Sequence, residues 1–218
     1  MIASYPCPGG AADEFTLAFD RGRERRLLIV PALFEEANRL RRLTVEILRR
    51  LDAAGIDCFL PDLPGCNESL QPLEGQTLDS WRTAMTAAAR HFAATHVLGV
   101  RGGALLQPEL PGWRYAPVKG ANLLRQMLRA RIVVSREQGL SETQESLLEA
   151  GSREGLELVG YRLGAGLLGQ LQAAEPAPAS DIPQDMVGGG GLWLRAEPGE
   201  DRAQADALAA IVAVGLKA

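Results

Sequence analysis

The sequence predicts an α/β fold: a doubly wound, mostly parallel sheet with a small helical cap insertion. A continuous apolar run lies at 27–33, which is typical of a parallel strand buried on both faces, and strand-like segments follow at 56–62 and 96–100. Between them, at 35–54 and about 77–94, apolar residues recur three and four positions apart, which indicates amphipathic helices. This alternation of strands and helices is the pattern of a doubly wound sheet.

The first half of the chain gives the clearest elements. The sequence predicts a strand over 14–19, a polar turn at Gly22, and strand, helix, strand over 27–33, 35–54 and 56–62. Gly55 is a suitable residue to end the first helix. The loop 63–69, a helix over 77–94, a strand over 96–100 and a helix after Arg101 follow.

The second half is less regular. A strand is expected at 114–118, and helices are expected at 120–134 and 140–150. In the latter, Ser141 would be the N-cap and Gln144 would complete a capping box. An extended segment is predicted at 156–163, with another helix after it. The segment 173–191 is rich in Pro, Ala and Gly, which predicts a loop or mobile connector. A late strand at 191–197 and a final helix are predicted to follow.

These elements suggest a division of the chain. Residues 1–118 would form the first part of the core, 119–172 a cap or irregular insertion, 173–190 a flexible connector, and 191–218 the last strand and helix of the core. The cap would lie over the ends of the strands.

Composition excludes several classes of function. A net charge of −4 gives no reason to expect nucleic-acid binding. Three cysteines, odd in number and widely spaced, fit neither a disulfide framework nor a zinc site, and nothing indicates a cofactor or a metal. The amino terminus lacks the pattern of a signal peptide, and no apolar stretch is long enough to span a membrane. We therefore expect a cytoplasmic protein.

One short stretch, VLGVRGGAL at 97–105, has the shape of a nucleophile elbow, G-x-S-x-G. In that motif a sharp turn from strand to helix presents a catalytic serine. Gly99 and Gly103 occupy the glycine positions, and Arg101 occupies the position of the serine. Arginine is not a nucleophile at neutral pH, because its guanidinium stays protonated.

A histidine base is also missing from the expected place. The two histidines of the chain, His91 and His96, both precede the elbow, whereas the triad order places the histidine after it. His96 begins the strand whose far end is Arg101, so roughly 16 Å would separate the two residues. That distance excludes His96 as a general base at the elbow.

Cys66 is the alternative nucleophile. It lies in the loop after Asp62, at the functional edge of the predicted sheet, where Arg101 could lower the pKa of its thiol. The competing interpretation is that Cys66 is simply a small residue in a tight turn.

The ordered series of motifs resembles the α/β-hydrolase superfamily, and within it the exosortase A system-associated hydrolase 2-like group. The matching stretches are LLIVPALFEEANRLRR (27–42), FLPDLPGCNESL (59–70), LGVRGGALL (98–106), WRYAPVKGANLLRQMLRAR (113–131) and LELVGYRLGAGL (156–167). The resemblance implies a bacterial protein with a hydrolase fold and a protein partner in an exosortase or exopolysaccharide system. It also makes residues 32–36 the counterpart of the hydrolase oxyanion loop.

Two interpretations of Arg101 stay open. In the first, Glu35 or Glu36 reaches Arg101 and fills the former catalytic site with an ion pair. In the second, Arg101 holds a small acidic or acyl ligand under the cap, because guanidinium donors suit carboxylates and phosphates. The candidate binding pocket comprises Arg101, Gly102, Glu35, Glu36, Phe34, Asn67 and Lys119.

Two hypotheses for the function follow. The favoured one is a binding or accessory protein on a hydrolase scaffold without orthodox serine-hydrolase activity. The alternative is an ester or thioester hydrolase or acyltransferase with an unorthodox site around Cys66 and Arg101.

Overall fold

The computed structural model describes residues 1–10 and 12–217, and within them nine strands form a seven-stranded sheet and a separate hairpin. The order across the sheet is β1-β2-β4-β3-β5-β6-β9. Strands β1, β2 and β4 pair antiparallel, and the remaining neighbours pair parallel. The strands are β1 (Ile2–Tyr5), β2 (Glu14–Phe19), β3 (Arg26–Val30), β4 (Asp57–Pro61), β5 (His96–Val100), β6 (Gly112–Tyr115), β7 (Leu156–Leu158), β8 (Tyr161–Leu163) and β9 (Ser180–Ile182).

Helices cover both faces of the sheet, so the predicted doubly wound α/β architecture is confirmed. In β3, Leu27 and Ile29 pack with one apolar cluster and Leu28 and Val30 with the other, as the alternation of side chains along a strand requires. The first cluster includes α1 and α7, and the second includes α2, α3 and α5. The helices are α1 (Glu35–Ala53), α2 (Leu78–His91), α3 (Gly120–Glu137), α4 (Gln144–Glu154), α5 (Ala165–Ala173), α6 (Gln184–Val187) and α7 (Arg202–Gly215).

The strands and helices predicted between residues 14 and 100 are confirmed except at their ends, whereas β1 (Ile2–Tyr5) was not predicted. The strand predicted over 27–33 is β3, and it stops at Val30. Pro31 follows, and a proline has no N–H to donate to a sheet. Helix α2 begins after Thr77, whose side chain accepts a hydrogen bond from the backbone of Ser80.

The prediction of a helix after Arg101 is wrong. Only a short 3-10 helix, Arg101–Leu105, follows β5. Pro108 and Pro111 come next, and proline disfavours helix at the residue before it as well as at its own position. The candidate pocket residue Gly102 therefore lies in a 3-10 helix of five residues and does not begin a long helix.

The last strand of the sheet lies in a different segment from the predicted one. Residues 191–197 do not form a strand; they contain the 3-10 helix Leu192–Leu194. The edge strand is instead β9, within the segment predicted as a loop, and it pairs with β6 from Trp113–Ser180 to Tyr115–Ile182. Only Ile182 of β9 is buried, so its composition carries almost no strand signal.

The segment 119–172, predicted as a cap or irregular insertion, contains α3, α4, the β7–β8 hairpin and all of α5 but its last residue, and these elements pack against one another. Helix α4 starts later than predicted: its N-cap is Thr143, which forms a capping box with Ser146, whereas Ser141 lies outside the helix. The division of the chain into core, cap and connector remains a prediction. Across the described part of the chain, none of the helices is sufficiently long and apolar to cross a bilayer.

Candidate functional site

The elbow after β5 is a tight turn with Arg101 in a left-handed backbone conformation, and it depends on the glycines on either side. Arg101 has a φ of 51°, in the left-handed region that non-glycine residues seldom adopt. A Cβ on Gly99 would lie 2.9 Å from the Cα of Ala104, and one on Gly103 would lie 2.4 Å from the carbonyl oxygen of Val30. Both glycines are therefore needed for the close packing of this turn, and the arginine stands at its tip.

The guanidinium of Arg101 is held by a carboxylate from α1. Its Nε and Nη2 donate to the two carboxylate oxygens of Glu36, at 3.1 and 2.9 Å. The side chains of Arg101 and Glu36 are only 11% and 4% exposed. This is the two-pronged arrangement that arginine forms with carboxylates, and burial strengthens it.

Two further contacts complete what we call the Arg101 cluster: Arg101, Glu36, Trp193 and the carbonyl of Ala116. Nη1 of Arg101 donates to the Ala116 carbonyl at 2.8 Å. The guanidinium carbon lies 4.0 Å from the centre of the Trp193 ring, a cation–π distance. The polar edge and one face of the guanidinium are therefore occupied by the protein itself.

Glu35 does not join this cluster. It pairs with Arg39 at 3.1 Å, one helical turn further along α1. Arg39 also donates to the backbone carbonyl of Trp193 at 2.9 Å, so α1 helps to hold Trp193 over the elbow. Of the two glutamates proposed from the sequence, the structure selects Glu36 for Arg101.

Asn67 and Lys119 also have partners away from Arg101. Asn67 donates to the buried carboxylate of Asp62 at 2.7 Å, which braces the loop after β4. Lys119 pairs with Glu175 at 2.7 Å, and both side chains are well exposed. The structure therefore does not bring these two residues of the candidate pocket to the guanidinium of Arg101.

The histidines lie where the sequence places them, at the opposite end of the sheet from the elbow. His96 is the first residue of β5, and its ring stacks on Trp113 with 5.9 Å between centres. Burial lowers the pKa of His96. His91 is the last residue of α2 and packs edge-on against Phe92. Neither histidine can form a triad with a residue at the elbow.

The thiol of Cys66 is in surroundings that keep it protonated. Burial raises its pKa to about 12, and the carboxylates of Asp62 and Glu14 add to the increase. Arg101, the cation expected to lower this pKa, is engaged with Glu36. At neutral pH almost none of Cys66 is therefore present as the nucleophilic thiolate.

A cavity of about 230 Å³ lies beside the elbow, between the loop after β3, one face of α1, the loop after β4 and Tyr161 of β8. Its lining includes Phe34 and Asn67 from the predicted pocket and Cys66, the alternative nucleophile, but not Arg101.

Sequence reasoning missed other side chains that line this cavity: Asn38, Arg41, Trp81 and Tyr161. A signal for the first two was available, since they are polar residues three positions apart on a helix whose apolar stripe alone was considered. Tyr161 gave no such signal, because it reaches the cavity from a hairpin more than a hundred residues further along the chain.

Sequence comparison finds no match, either to a family model or to a curated protein. Solved structures do match. Ferulic acid-bound Est1E from Butyrivibrio proteoclasticus has a TM-score of 0.54 at 16% identity, covering 78% of this chain and 70% of that one. Mouse alpha/beta hydrolase domain-containing protein 10 has a TM-score of 0.52 at 12% identity, covering 79% and 69%.

A thermophilic esterase from Thermogutta terrifontis, solved with malate bound, also matches, with a TM-score of 0.44 at 13% identity over 61% of this chain. The match spans about half of that esterase, 53% of its length. At these identities the likeness concerns the fold, and an activity must be argued from the site. The strand order, the elbow after β5 and the neighbours with TM-scores above 0.5 together establish that this chain has an α/β-hydrolase-like fold.

Proposed function

We propose that this protein is a binding or accessory protein built on a hydrolase-like scaffold and does not act by the orthodox serine-hydrolase mechanism. The observation that carries the proposal is the Arg101 cluster. A protonated guanidinium stands at the nucleophile position, paired with Glu36 and covered by Trp193.

The contacts of the cluster support the proposal that the elbow does not carry out acyl transfer. An attacking group must be deprotonated by a base within about 3 Å, and both histidines are at the other end of the sheet. Glu36 has both oxygens engaged with Arg101. The guanidinium at the nucleophile position is in addition covered on one face by the Trp193 ring.

The biological setting that we propose is an exosortase- or exopolysaccharide-associated system of bacteria, with a protein partner from that system. Its support is the ordered series of sequence motifs from LLIVPALFEEANRLRR to LELVGYRLGAGL. A cytoplasmic location is part of the same proposal, since the three cysteines of the described chain are free thiols, as is common in reducing compartments.

The alternative function, an ester or thioester hydrolase or acyltransferase, is favoured by one observation: Cys66 lines the cavity. Its thiolate would attack the acyl carbon and release an alcohol or thiol, and water would then hydrolyse the thioester formed on the cysteine. The raised pKa of Cys66 opposes the first step.

The deciding experiment measures turnover of a panel of short and medium acyl esters and thioesters by the wild-type protein, with Cys66→Ala run beside it. We expect both proteins to hydrolyse the panel at the rate of buffer alone. Wild-type turnover that is lost in Cys66→Ala would overturn the proposal and assign catalysis to Cys66. Turnover above the buffer rate that is equal in the two proteins and persists after repurification would also overturn it, and would indicate another nucleophile.

A further inference from the structure

The size of the cavity beside the elbow limits what it can hold. Its volume is about 230 Å³. For comparison, an apolar cavity of about 150 Å³ in another protein binds benzene. The cavity therefore has room for a ring, or a branched chain of similar bulk, together with a short polar arm.

One wall of the cavity is apolar and aromatic. Leu33, Leu63 and Trp81 are at most 3% exposed, and Phe34 lies 6.0 Å from Trp81 between ring centres. The indole N–H of Trp81 donates to the carbonyl of Pro64 at 2.8 Å, so this residue offers the cavity a ring without a free donor. Such a wall suits the hydrocarbon part of a ligand.

The other wall is formed by one face of α1 together with Tyr161, which contacts that helix. Asn38 and Arg41, one turn apart, both line the cavity, and the amide of Asn38 lies 3.4 Å from the Tyr161 hydroxyl. This wall supplies neutral donors from Asn38 and Tyr161 and one positive charge from Arg41.

Arg41 has donors to spare. In the part of the chain that the structure describes, its guanidinium makes one long contact, from Nη1 to Asp62 at 3.4 Å, and 40% of its side chain is exposed. Asp62 is itself buried and accepts a shorter bond from Asn67. Most of the five donors of Arg41 are thus available to an incoming anion.

From these two walls we infer that the cavity binds a small monocarboxylate with an apolar body, the carboxylate at Arg41 and Asn38 and the body between Phe34 and Trp81. The inference rests on the proposed binding function and names its ligand class. It also moves the binding site from Arg101, whose guanidinium is fully engaged, to Arg41, whose guanidinium makes only one long contact, to Asp62.

The test is a calorimetric titration of the wild-type protein with phenylacetate and with its neutral isostere phenylacetamide. We expect saturable one-to-one binding of phenylacetate, and weaker binding of the amide by about tenfold or more, as the loss of a charge-assisted hydrogen bond predicts. Because phenylacetate has no scissile ester, the result is independent of whether the protein hydrolyses esters.

Variants locate the site. Arg41→Gln should weaken phenylacetate binding by about tenfold or more, and Ala37→Leu, which adds bulk to the cavity wall, should weaken phenylacetate and phenylacetamide alike. The matched control is Arg42→Gln, which removes the same charge from the next residue of α1, where Arg42 pairs with Glu200 at 2.9 Å. It should bind phenylacetate as the wild type does.

Three outcomes would overturn the inference. They are no saturable binding of phenylacetate to the wild type, equal binding of the acid and the amide, and equal effects of Arg41→Gln and Arg42→Gln. The first two are measured on the wild type, so they hold even if a variant folds poorly. Ester turnover in the assay described above, with phenylacetate binding intact, would instead overturn the proposed function and leave the ligand class standing.

Discussion

Glu36 and Glu35 are adjacent in sequence, yet they pair with different arginines and differ in burial. Successive residues of a helix point about 100° apart, so only one of the two can face the elbow. Glu36 is buried against Arg101, while Glu35 lies on the half-exposed side and pairs with Arg39. The two residues form a natural pair for comparing a buried ion pair with an exposed one.

We expect Glu36→Gln to lower the free energy of unfolding by about 3 kcal/mol, because it leaves the buried guanidinium of Arg101 without its counter-charge. Glu35→Gln should change it by no more than about 0.5 kcal/mol, as is usual for partly exposed pairs. Urea denaturation of both variants checks this. Equal effects of the two substitutions would mean that the Arg101 cluster does not stabilise the protein.

The start of α4 is decided at the scale of the element. Both Ser141 and Thr143 are acceptable N-caps by residue type, and both precede helix-forming residues. The side chain of Thr143 accepts the N–H of Ser146, and the Ser146 hydroxyl accepts the N–H of Thr143. Helix α4 therefore begins two residues later than the S-x-x-Q pattern indicates.

Thr143→Ala should destabilise the protein by about 1 kcal/mol, the usual cost of removing an N-cap. Ser141→Ala, two residues earlier and outside α4, should be nearly neutral. Thermal unfolding monitored by circular dichroism distinguishes them. The assignment of the cap to Thr143 fails if the loss occurs in Ser141→Ala instead.

At the scale of the whole molecule, a network of charges joins the turn after β2 to β3 and β4. Arg26 of β3 donates to both carboxylate oxygens of Asp20, at 3.0 and 2.9 Å, and to Asp57 of β4 at 3.0 Å. The hydrogen bonds from Arg26 lower the pKa of Asp20 to about 2. An aspartate in the unfolded chain has a pKa of about 3.9, so the folded state favours the ionised form.

The sign of the pH dependence follows. The contribution of Asp20 is complete above a pH of about 4 and is lost as the pH falls through the folded-state pKa of about 2. We expect Asp20→Asn to lower stability at neutral pH and to reduce the loss of stability between about pH 4 and pH 2. Urea midpoints across that range check it, with the exposed Asp185→Asn as control. A wild-type pH dependence unchanged by Asp20→Asn would contradict the prediction.

The sequence alone determined the α/β class of the fold and most of its central strands and helices, and it showed that the elbow carries no serine. Apolar runs such as 96–100 and helical stripes such as that of α1 are local patterns, and burial on both faces of a sheet is what produces them. The elbow could be recognised because the spacing of Gly99 and Gly103 around Arg101 matches a short known motif. The order of His91 and His96 before Arg101 was enough to exclude the usual triad.

Only the tertiary structure decided which groups meet. Glu36 reaches Arg101 across 65 residues, and Asn38 lies near Tyr161 across 123. Such contacts depend on the rotation of a helix and the docking of a distant hairpin, which leave no periodic trace in the chain. The edge strand β9 was also missed. Its residues show no apolar run or alternation, and it is a strand because it pairs with β6. Long-range packing, which local sequence patterns do not reveal, thus places Glu36 and Trp193 against Arg101 at the elbow. The same packing leaves an open cavity beside Arg41.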